Sequence, residues 1–218
     1  MYKLKVFASC DSSYFCEHAR AWYFSAVEQG YTPIIEVVNP NNTVKNIVKK
    51  EQWNNIHYVK VSNPSKSYLC SNRFYSAEKY LTHEGLLITD IDCYFNYAMP
   101  PPQDDVGLFF RLNHPDHMKI AAGIVWYKGT EKSKQFARAV AANIKKLPDK
   151  WFVDQIALLL AFREYEGCIN FFSFSHLHMD WEFNDGSYMW TGKGPRKYNN
   201  PIYLGKKQKY DNRSNNNA

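Results

Sequence analysis

Two aspartates at the end of an apolar run are the residues of this sequence best placed to do chemistry. Asp90 and Asp92 follow the run 85–89, GLLIT, and only Ile91 separates them. Such a run predicts a strand buried on both faces, and side-chain alternation would place both carboxylates on one side. Carboxylates this close repel each other unless a cation lies near both. Because hard oxygen ligands suit Mg²⁺ or Mn²⁺ better than zinc, Asp90 and Asp92 predict a site for one of these metals.

A second pair of polar residues lies in the apolar stretch 151–160, WFVDQIALLL. The spacing predicts a helix here, and Asp154 and Gln155 fall in its early turns. Polar groups at buried positions are costly unless they find hydrogen-bond partners, so this pair stands out in an otherwise apolar helix. The alternative is that Asp154 only complements the positive end of the helix dipole.

A basic loop containing glycine follows near the end of the sequence, in the segment 190–197, WTGKGPRK. Its backbone amides and the side chains of Lys193, Arg196 and Lys197 could bind a diphosphate. The loop 111–119 is expected to cover the same site, because it follows a predicted strand.

Strands and helices alternate along the chain, which predicts an α/β protein built on a mainly parallel sheet. Asp11 lies in the polar turn 10–13 and is expected to cap the first helix. Gly123, inside a strand, indicates a close approach to the backbone. The predicted strands are 4–9, 33–38, 56–61, 86–89, 106–111, 120–128 and 168–174, and the predicted helices are 15–30, 67–83, 131–147 and 151–166.

The Asp90/Asp92 pair at the end of a buried strand resembles the Asp-X-Asp motif of nucleotide-sugar glycosyltransferases of the GT-A fold. Asp154-Gln155 and the basic loop resemble, more distantly, features of glycogenin-type enzymes. The resemblance implies a Rossmann-like α/β/α sandwich around a mainly parallel sheet. It also implies a single catalytic domain over residues 1–205, and the polar composition after Gly205 predicts a flexible tail over 206–218.

The same resemblance assigns roles around the donor. The end of the first strand, Ser9-Cys10-Asp11, would contact the nucleoside, although Asp11 could be a helix cap alone. Arg73 would reach the donor or steady the acidic pair, with a solvated surface arginine as the equal alternative. Ala122 and Gly123 would line the donor-sugar pocket unless Gly123 only serves packing.

For catalysis, the resemblance implies that Asp154 and Gln155 position the donor sugar or the acceptor, and that Asp154 could act as a base or nucleophile-like carboxylate. It implies Mn²⁺ or Mg²⁺ on Asp90 and Asp92. Glycogenin-like enzymes add a histidine of the C-terminal loop as a metal ligand, but this loop has none. The candidates for a third ligand are His176, His178, Asp180 and Asp185.

The expected function is therefore metal-dependent transfer of a sugar from a nucleotide-diphosphate donor, with a UDP-sugar favoured by analogy, to an acceptor of unspecified class. One alternative is a non-catalytic relative that binds nucleotide-sugars or glycans. Another is a phosphatase of the haloacid dehalogenase type, although that family places its Asp-X-Asp pair after the first strand.

Composition limits the other possibilities. The net charge of +6 suits phosphate-bearing ligands, but no basic run is dense enough to predict nucleic-acid binding. Five scattered cysteines without a Cys-X-X-Cys pair predict neither zinc nor disulfides and favour the cytoplasm. We expect no membrane span, because no apolar run is long enough to cross a bilayer.

Overall fold

Seven strands form the central sheet of the computed structural model, which describes residues 4–213. The strand order is β3-β2-β1-β4-β7-β6-β8, and all strands run in one direction except β7. The prediction of a mainly parallel sheet is thus confirmed. The strands are β1 (Lys5–Asp11), β2 (Thr32–Val38), β3 (Ile56–Val59), β4 (Leu86–Thr89), β6 (Val106–Phe110), β7 (Ile120–Tyr127) and β8 (Phe171–Phe174), while β5 (Cys93–Phe95) and β9 (Met189–Thr191) form a separate antiparallel pair.

Helices cover both faces of the sheet and give the expected three layers. Alternation along β1 sends Val6 and Ala8 into the core beneath α1 and Phe7 into the core beneath α3, α4 and α5. The helices are α1 (Ser12–Glu28), α2 (Asn42–Glu51), α3 (Lys66–Tyr80), α4 (Glu131–Lys146), α5 (Val153–Tyr165), α6 (Arg196–Asn199) and α7 (Pro201–Asp211), with a short 3₁₀ helix at Asp116–Met118.

Short polar side chains fix where several helices begin. Asp11 accepts a hydrogen bond from the amide of Tyr14, as the sequence predicted, and Ser65 caps α3 in the same way. Asp149 lies at a position from which it could cap the following helix, but α5 begins at Val153 without a side-chain cap. Asp149 instead accepts hydrogen bonds from Ser65 and Ser67 at the start of α3, and so joins two elements distant in sequence.

Two segments differ from the prediction. No helix was predicted between the strands 33–38 and 56–61, but this polar segment contains α2, a surface helix in which Val44 and Glu51 are the buried residues. The expected tail from residue 206 is wrong as far as Asp211, because α7 continues to that residue and buries Tyr203 and Tyr210 against the core. The rest of that tail, residues 214–218, lies outside the described residues.

The carboxyl edge of the sheet gathers the chemically interesting segments. β1 ends there at Asp11, β4 ends just before Asp90, and β6 ends just before Arg111, while the antiparallel β7 begins at the same edge. This edge is the usual ligand site of open α/β sheets. Within residues 4–213, none of the helices is long and apolar enough to cross a membrane.

Candidate functional site

A cavity of about 720 Å³ opens at the carboxyl edge of the sheet. It brings together the site residues that the sequence predicted, except Arg196 and the candidates for a third metal ligand. Arg196 forms an ion pair with Glu182, 2.8 Å away, and both side chains are largely exposed. The predicted residues that line the cavity are Ser9, Cys10, Asp11, Arg73, Asp90, Asp92, Ala122, Gly123, Asp154, Gln155, Lys193 and Lys197.

Arg73 links the acidic strand end to the second polar pair. Its guanidinium lies 3.0 Å from the Asp90 carboxylate and 3.3 Å from the Asp154 carboxylate, and it donates to the carbonyl of Ala122 at 3.2 Å. Arg73 is only 5% exposed, so the alternative of a solvated surface arginine is wrong. One buried cation thus holds two carboxylates that are far apart in sequence.

Strand geometry explains why Asp90 meets these partners. Asp90 continues the side of β4 that carries Leu86 and Ile88, and this side faces the helices α3 and α5. The strand ends at Thr89, so simple alternation does not extend to Asp92. Ile91 packs into the opposite core, as expected.

Burial of this site disfavours ionisation of its carboxyl groups. Burial raises the pKa of Asp90, Arg73 opposes that rise, and the nearby charge of Asp92 adds to it. The pKa of Asp154 is likewise raised by burial, against the effect of Arg73. The cations of the protein do not fully balance the negative charge of these carboxylates. A positively charged ligand in the cavity would therefore be attracted to them.

Asp92 has a different counter-ion, supplied by the C-terminal part of the chain. The Lys197 ammonium lies 2.9 Å from its carboxylate and 3.1 Å from the Tyr14 hydroxyl. Burial lowers the pKa of Lys197, but Asp92 and Tyr14 outweigh that effect and leave it raised. The Asp92 carbonyl accepts hydrogen bonds from the Tyr203 hydroxyl and the Gly192 amide, so Asp92 is held from several sides.

A buried polar network supports the end of β1. The Asn72 amide donates to the Ser9 hydroxyl and to the Glu36 carboxylate, each at 2.7 Å. Glu36 also accepts hydrogen bonds from Ser76 and Tyr80. The predicted nucleoside segment therefore has a fixed position relative to α3, which also carries Arg73.

Gly123 faces the acidic pair at close range. A Cβ atom built there would lie 2.9 Å from Asp90 Oδ2 and 3.0 Å from the Met179 sulfur. The Asp90 amide donates to the Gly123 carbonyl at 3.3 Å. The expected close approach is confirmed, and the neighbour that approaches is the Asp90 carboxylate.

The donor atoms present fit a hard divalent cation that shares its coordination with a ligand. Gly123 leaves space beside Asp90 Oδ2, and the Asp90 side chain is 36% exposed, whereas that of Asp92 is 12% exposed and paired with Lys197. Within residues 4–213, no cluster of three or more His, Cys, Asp or Glu side chains could hold a metal. Mg²⁺ commonly uses one or two carboxylates and takes its other ligands from water and phosphates.

The candidates for a third metal ligand have other roles or lie elsewhere. Asp180 is 1% exposed and accepts hydrogen bonds from the amides of Glu182 and Asn184, so it organises its own loop. His178 contacts Ser175, and His176 packs against Trp181. None of these, nor the exposed Asp185, lines the cavity.

Tyr14 and Arg111 are among the cavity residues that were not predicted as site residues. Tyr14, in the first turn of α1, contacts Lys197 and lies only three residues after the predicted Asp11. Arg111 follows β6 directly and donates a hydrogen bond to Gln155. Its position after a strand that ends at the same edge as β1 and β4 was the available signal.

No protein-family model and no curated protein matches this chain. Solved glycosyltransferase structures do match, at 12% sequence identity. GlyE of Streptococcus pneumoniae TIGR4 aligns with 94% of this chain at a TM-score of 0.58. The bifunctional glycosyltransferase WbbM aligns with 88% at 0.60. A glycosyltransferase involved in glycosylating the major capsid of PBCV-1 aligns with 96% at 0.58.

The aligned share of these proteins differs. The match spans 61% of GlyE and 46% of WbbM but 99% of the PBCV-1 glycosyltransferase. The chain therefore has the fold found in these glycosyltransferases. A specific relation to glycogenin stays a prediction.

Proposed function

We propose that this protein is a glycosyltransferase that transfers a sugar from a nucleotide-diphosphate donor to an acceptor. The observation that carries the proposal is the buried Arg73 bridge between Asp90 and Asp154, at the carboxyl edge of a sheet that glycosyltransferases share. A buried cation between two carboxylates contributes little net stability, because desolvation offsets most of the attraction. A functional role accounts better for this arrangement.

One part of the cavity would bind the nucleoside and the diphosphate of the donor. Ser9, Cys10 and Asp11 at the end of β1 would contact the nucleoside. Lys197 would share its charge between Asp92 and the diphosphate, so that the leaving nucleotide is stabilised as the bond to the sugar breaks. Asp90 and Asp92 would hold Mn²⁺ or Mg²⁺, and such a cation would neutralise charge on the departing diphosphate.

The other half of the cavity would hold the reacting sugar. Asp154 faces the cavity beside Gln155, and Arg73 fixes its carboxylate. The raised pKa of Asp154 brings it closer to the range in which a carboxylate accepts a proton from an acceptor hydroxyl. A UDP-sugar is the donor that the GT-A resemblance favours.

Thermal unfolding with a panel of nucleoside diphosphates tests this proposal. UDP, GDP, ADP and CDP would each be added with and without manganese. One of them is expected to stabilise the native chain in a manganese-dependent way, by about 2.7 kcal/mol at a concentration of 100 Kd. The variant Asp90→Ala/Asp92→Ala should lose this effect, and Asp90→Asn should weaken it.

The matched control replaces two exposed acidic residues outside the cavity, Glu131→Ala/Glu164→Ala, and should respond like the native chain. If no nucleotide stabilises a folded native chain, the proposal is wrong and phosphatase substrates become the next to test. If a nucleotide binds but its sugar conjugate is neither hydrolysed nor transferred, the non-catalytic alternative replaces the transferase.

A smaller substitution probes the space beside Asp90. Gly123→Ala is expected to weaken nucleotide binding at least tenfold while changing the free energy of unfolding little, because the added methyl meets the movable ends of Asp90 and Met179. Gly205→Ala, in α7 with nothing near its Cβ position, should keep binding and raise stability by roughly 0.5–1 kcal/mol. Calorimetric titration with the identified nucleotide and manganese separates the two outcomes. If Gly123→Ala binds the nucleotide as tightly as the native chain does, the space beside Asp90 has no role in nucleotide binding.

A further inference from the structure

Arg111 is a buried cation with no carboxylate partner among residues 4–213. Its side chain lines the cavity and the residue is 7% exposed. One guanidinium nitrogen donates to the Gln155 side-chain oxygen, and the Nε atom has no hydrogen-bond partner. Among the ion pairs formed by residues 4–213, none involves Arg111.

The charge of Arg73, the other arginine that lines the cavity, is balanced by carboxylates. Arg73 is equally buried but has Asp90 and Asp154 within 3.0 and 3.3 Å. The buried guanidinium of Arg111 has lost much of its contact with water. Among the described side chains, its hydrogen-bond partner is the neutral amide of Gln155. A buried guanidinium of this kind is stable when an anion completes it, and a planar fork of donors suits carboxylate and phosphate oxygens.

A second cation lies near Arg111. Lys193 lines the same cavity, and its ammonium lies 5.2 Å from the centre of the Trp181 ring. Desolvation lowers the pKa of Lys193, the positive charge of Arg111 lowers it further, and the negative charge of Asp90 opposes both effects. Arg111 and Lys193 line one cavity, and together they favour binding of a negatively charged group there.

This site lies away from the expected nucleoside position. In the sheet order, β4 and β7 separate β1, which ends at Ser9–Asp11, from β6, which precedes Arg111. Three strand spacings amount to roughly 14 Å. Asp90 and Asp92 follow β4, between these two ends. Arg111 is therefore on the side of the acidic pair where the sugar substrates, and not the nucleoside, would lie.

We propose that Arg111 and Lys193 form a subsite for a carboxylate or phosphate group carried by the transferred sugar or the acceptor, separate from the diphosphate of the nucleotide. The inference rests on the proposed function, since it places the group relative to a bound donor. It predicts an acidic sugar substrate. Gln155 orients the Arg111 guanidinium through its side-chain oxygen and so is a positioning residue here.

Matched pairs of probes test the subsite by calorimetric titration. With nucleoside diphosphate and manganese saturating, glucuronate and glucose 6-phosphate are compared with glucose. In a separate arm, UDP-glucuronate is compared with UDP-glucose. We expect a preference for the acidic partner of at least tenfold in one arm; the first arm assigns the negative group to the acceptor and the second assigns it to the transferred sugar.

The preference should disappear in Arg111→Gln and Lys193→Gln, persist in part in Arg111→Lys, and be unchanged in Arg138→Gln, which removes an exposed arginine paired with Glu78 on the surface. Lys193 is exposed, so its variant keeps the test valid if Arg111→Gln does not fold.

The absence of a preference in both arms would overturn the subsite. So would a loss of nucleoside diphosphate binding in Arg111→Gln or Lys193→Gln as large as the loss of acidic-sugar binding, because these cations would then serve the diphosphate, the role first expected of Lys193. Failure of the proposed function shows differently, as the absence of nucleotide binding by the native chain.

Discussion

Replacing Arg73 with methionine is expected to abolish nucleotide-sugar binding and to lower the free energy of unfolding by about 3–5 kcal/mol. The variant leaves Asp90 and Asp154 facing each other without the cation that holds both. Methionine keeps the flexible apolar stem but lacks the guanidinium, so the variant removes the charge and its hydrogen bonds together with the end of the side chain. Denaturant titration measures the stability loss. Arg138→Met, at an exposed arginine, is the control and should stay within about 0.5 kcal/mol of the native chain.

The pH dependence of that loss identifies its cause. The pKa values of Asp90 and Asp154 are raised in the folded chain, so their favourable contribution is complete below the unfolded value of about 4 and declines as pH rises through the folded values. Removing Arg73 should raise both values further. The deficit of Arg73→Met should therefore be small near pH 4 and grow towards neutrality. A deficit independent of pH would mean that packing, and not carboxylate charge, is responsible.

Lys197→Met is the second substitution with a large expected effect. It leaves the Asp92 carboxylate buried without its counter-ion, and we expect a stability loss of about 3 kcal/mol together with loss of nucleotide binding. The double variant Lys197→Met/Asp92→Asn should recover most of the stability and none of the binding, because it removes the unpaired charge but not the need for a cation. Lys209→Met, at an exposed lysine near Glu28, is the matched control.

Alkaline titration adds an independent check. The pKa of Lys197 is raised in the folded chain, so its contribution is complete below the unfolded value of about 10.4 and is lost only as pH rises through the folded value. The stability difference between the native chain and Lys197→Met should thus stay constant from pH 6 to 9 and shrink in stronger alkali. A difference that vanishes already near pH 8 would contradict the assignment of Asp92 to Lys197.

Local patterns were enough to predict the class of fold. Short apolar runs that alternate with segments of helical spacing predicted the mainly parallel sheet. The position of Asp11 predicted that it caps α1. The helix α2 was missed because it is short and mostly polar, although Val44, Ile47 and Val48 form an apolar stripe at helical spacing that packs on the core. The end of the chain was misread for a related reason: α7 is mostly polar, and its few buried tyrosines decide where it packs.

The sequence predicted the candidate site where the functional residues are close together in the chain. One cavity is lined, as the motifs predicted, by the pairs Asp90 and Asp92, Asp154 and Gln155, and Lys193 and Lys197. The counter-ions were harder, because the choice of partner depends on which elements the fold brings together. Nothing local pairs Asp92 with Lys197 or joins Asp90 to Asp154 through Arg73, and a lone arginine after β6 carries no local sign that it lacks a carboxylate.

The pairing of Asp92 with Lys197 has a consequence for how the protein is made. The two residues are separated by 105 positions, and Tyr203, which also holds Asp92, follows it by 111. On the ribosome, the first strands and α3 can assemble long before this closing segment emerges, since synthesis proceeds from the N-terminus. The nascent sheet therefore carries Asp92 without its cation for much of translation. Because contacts of such separation form slowly, we expect this end of the cavity to close after the first strands have assembled.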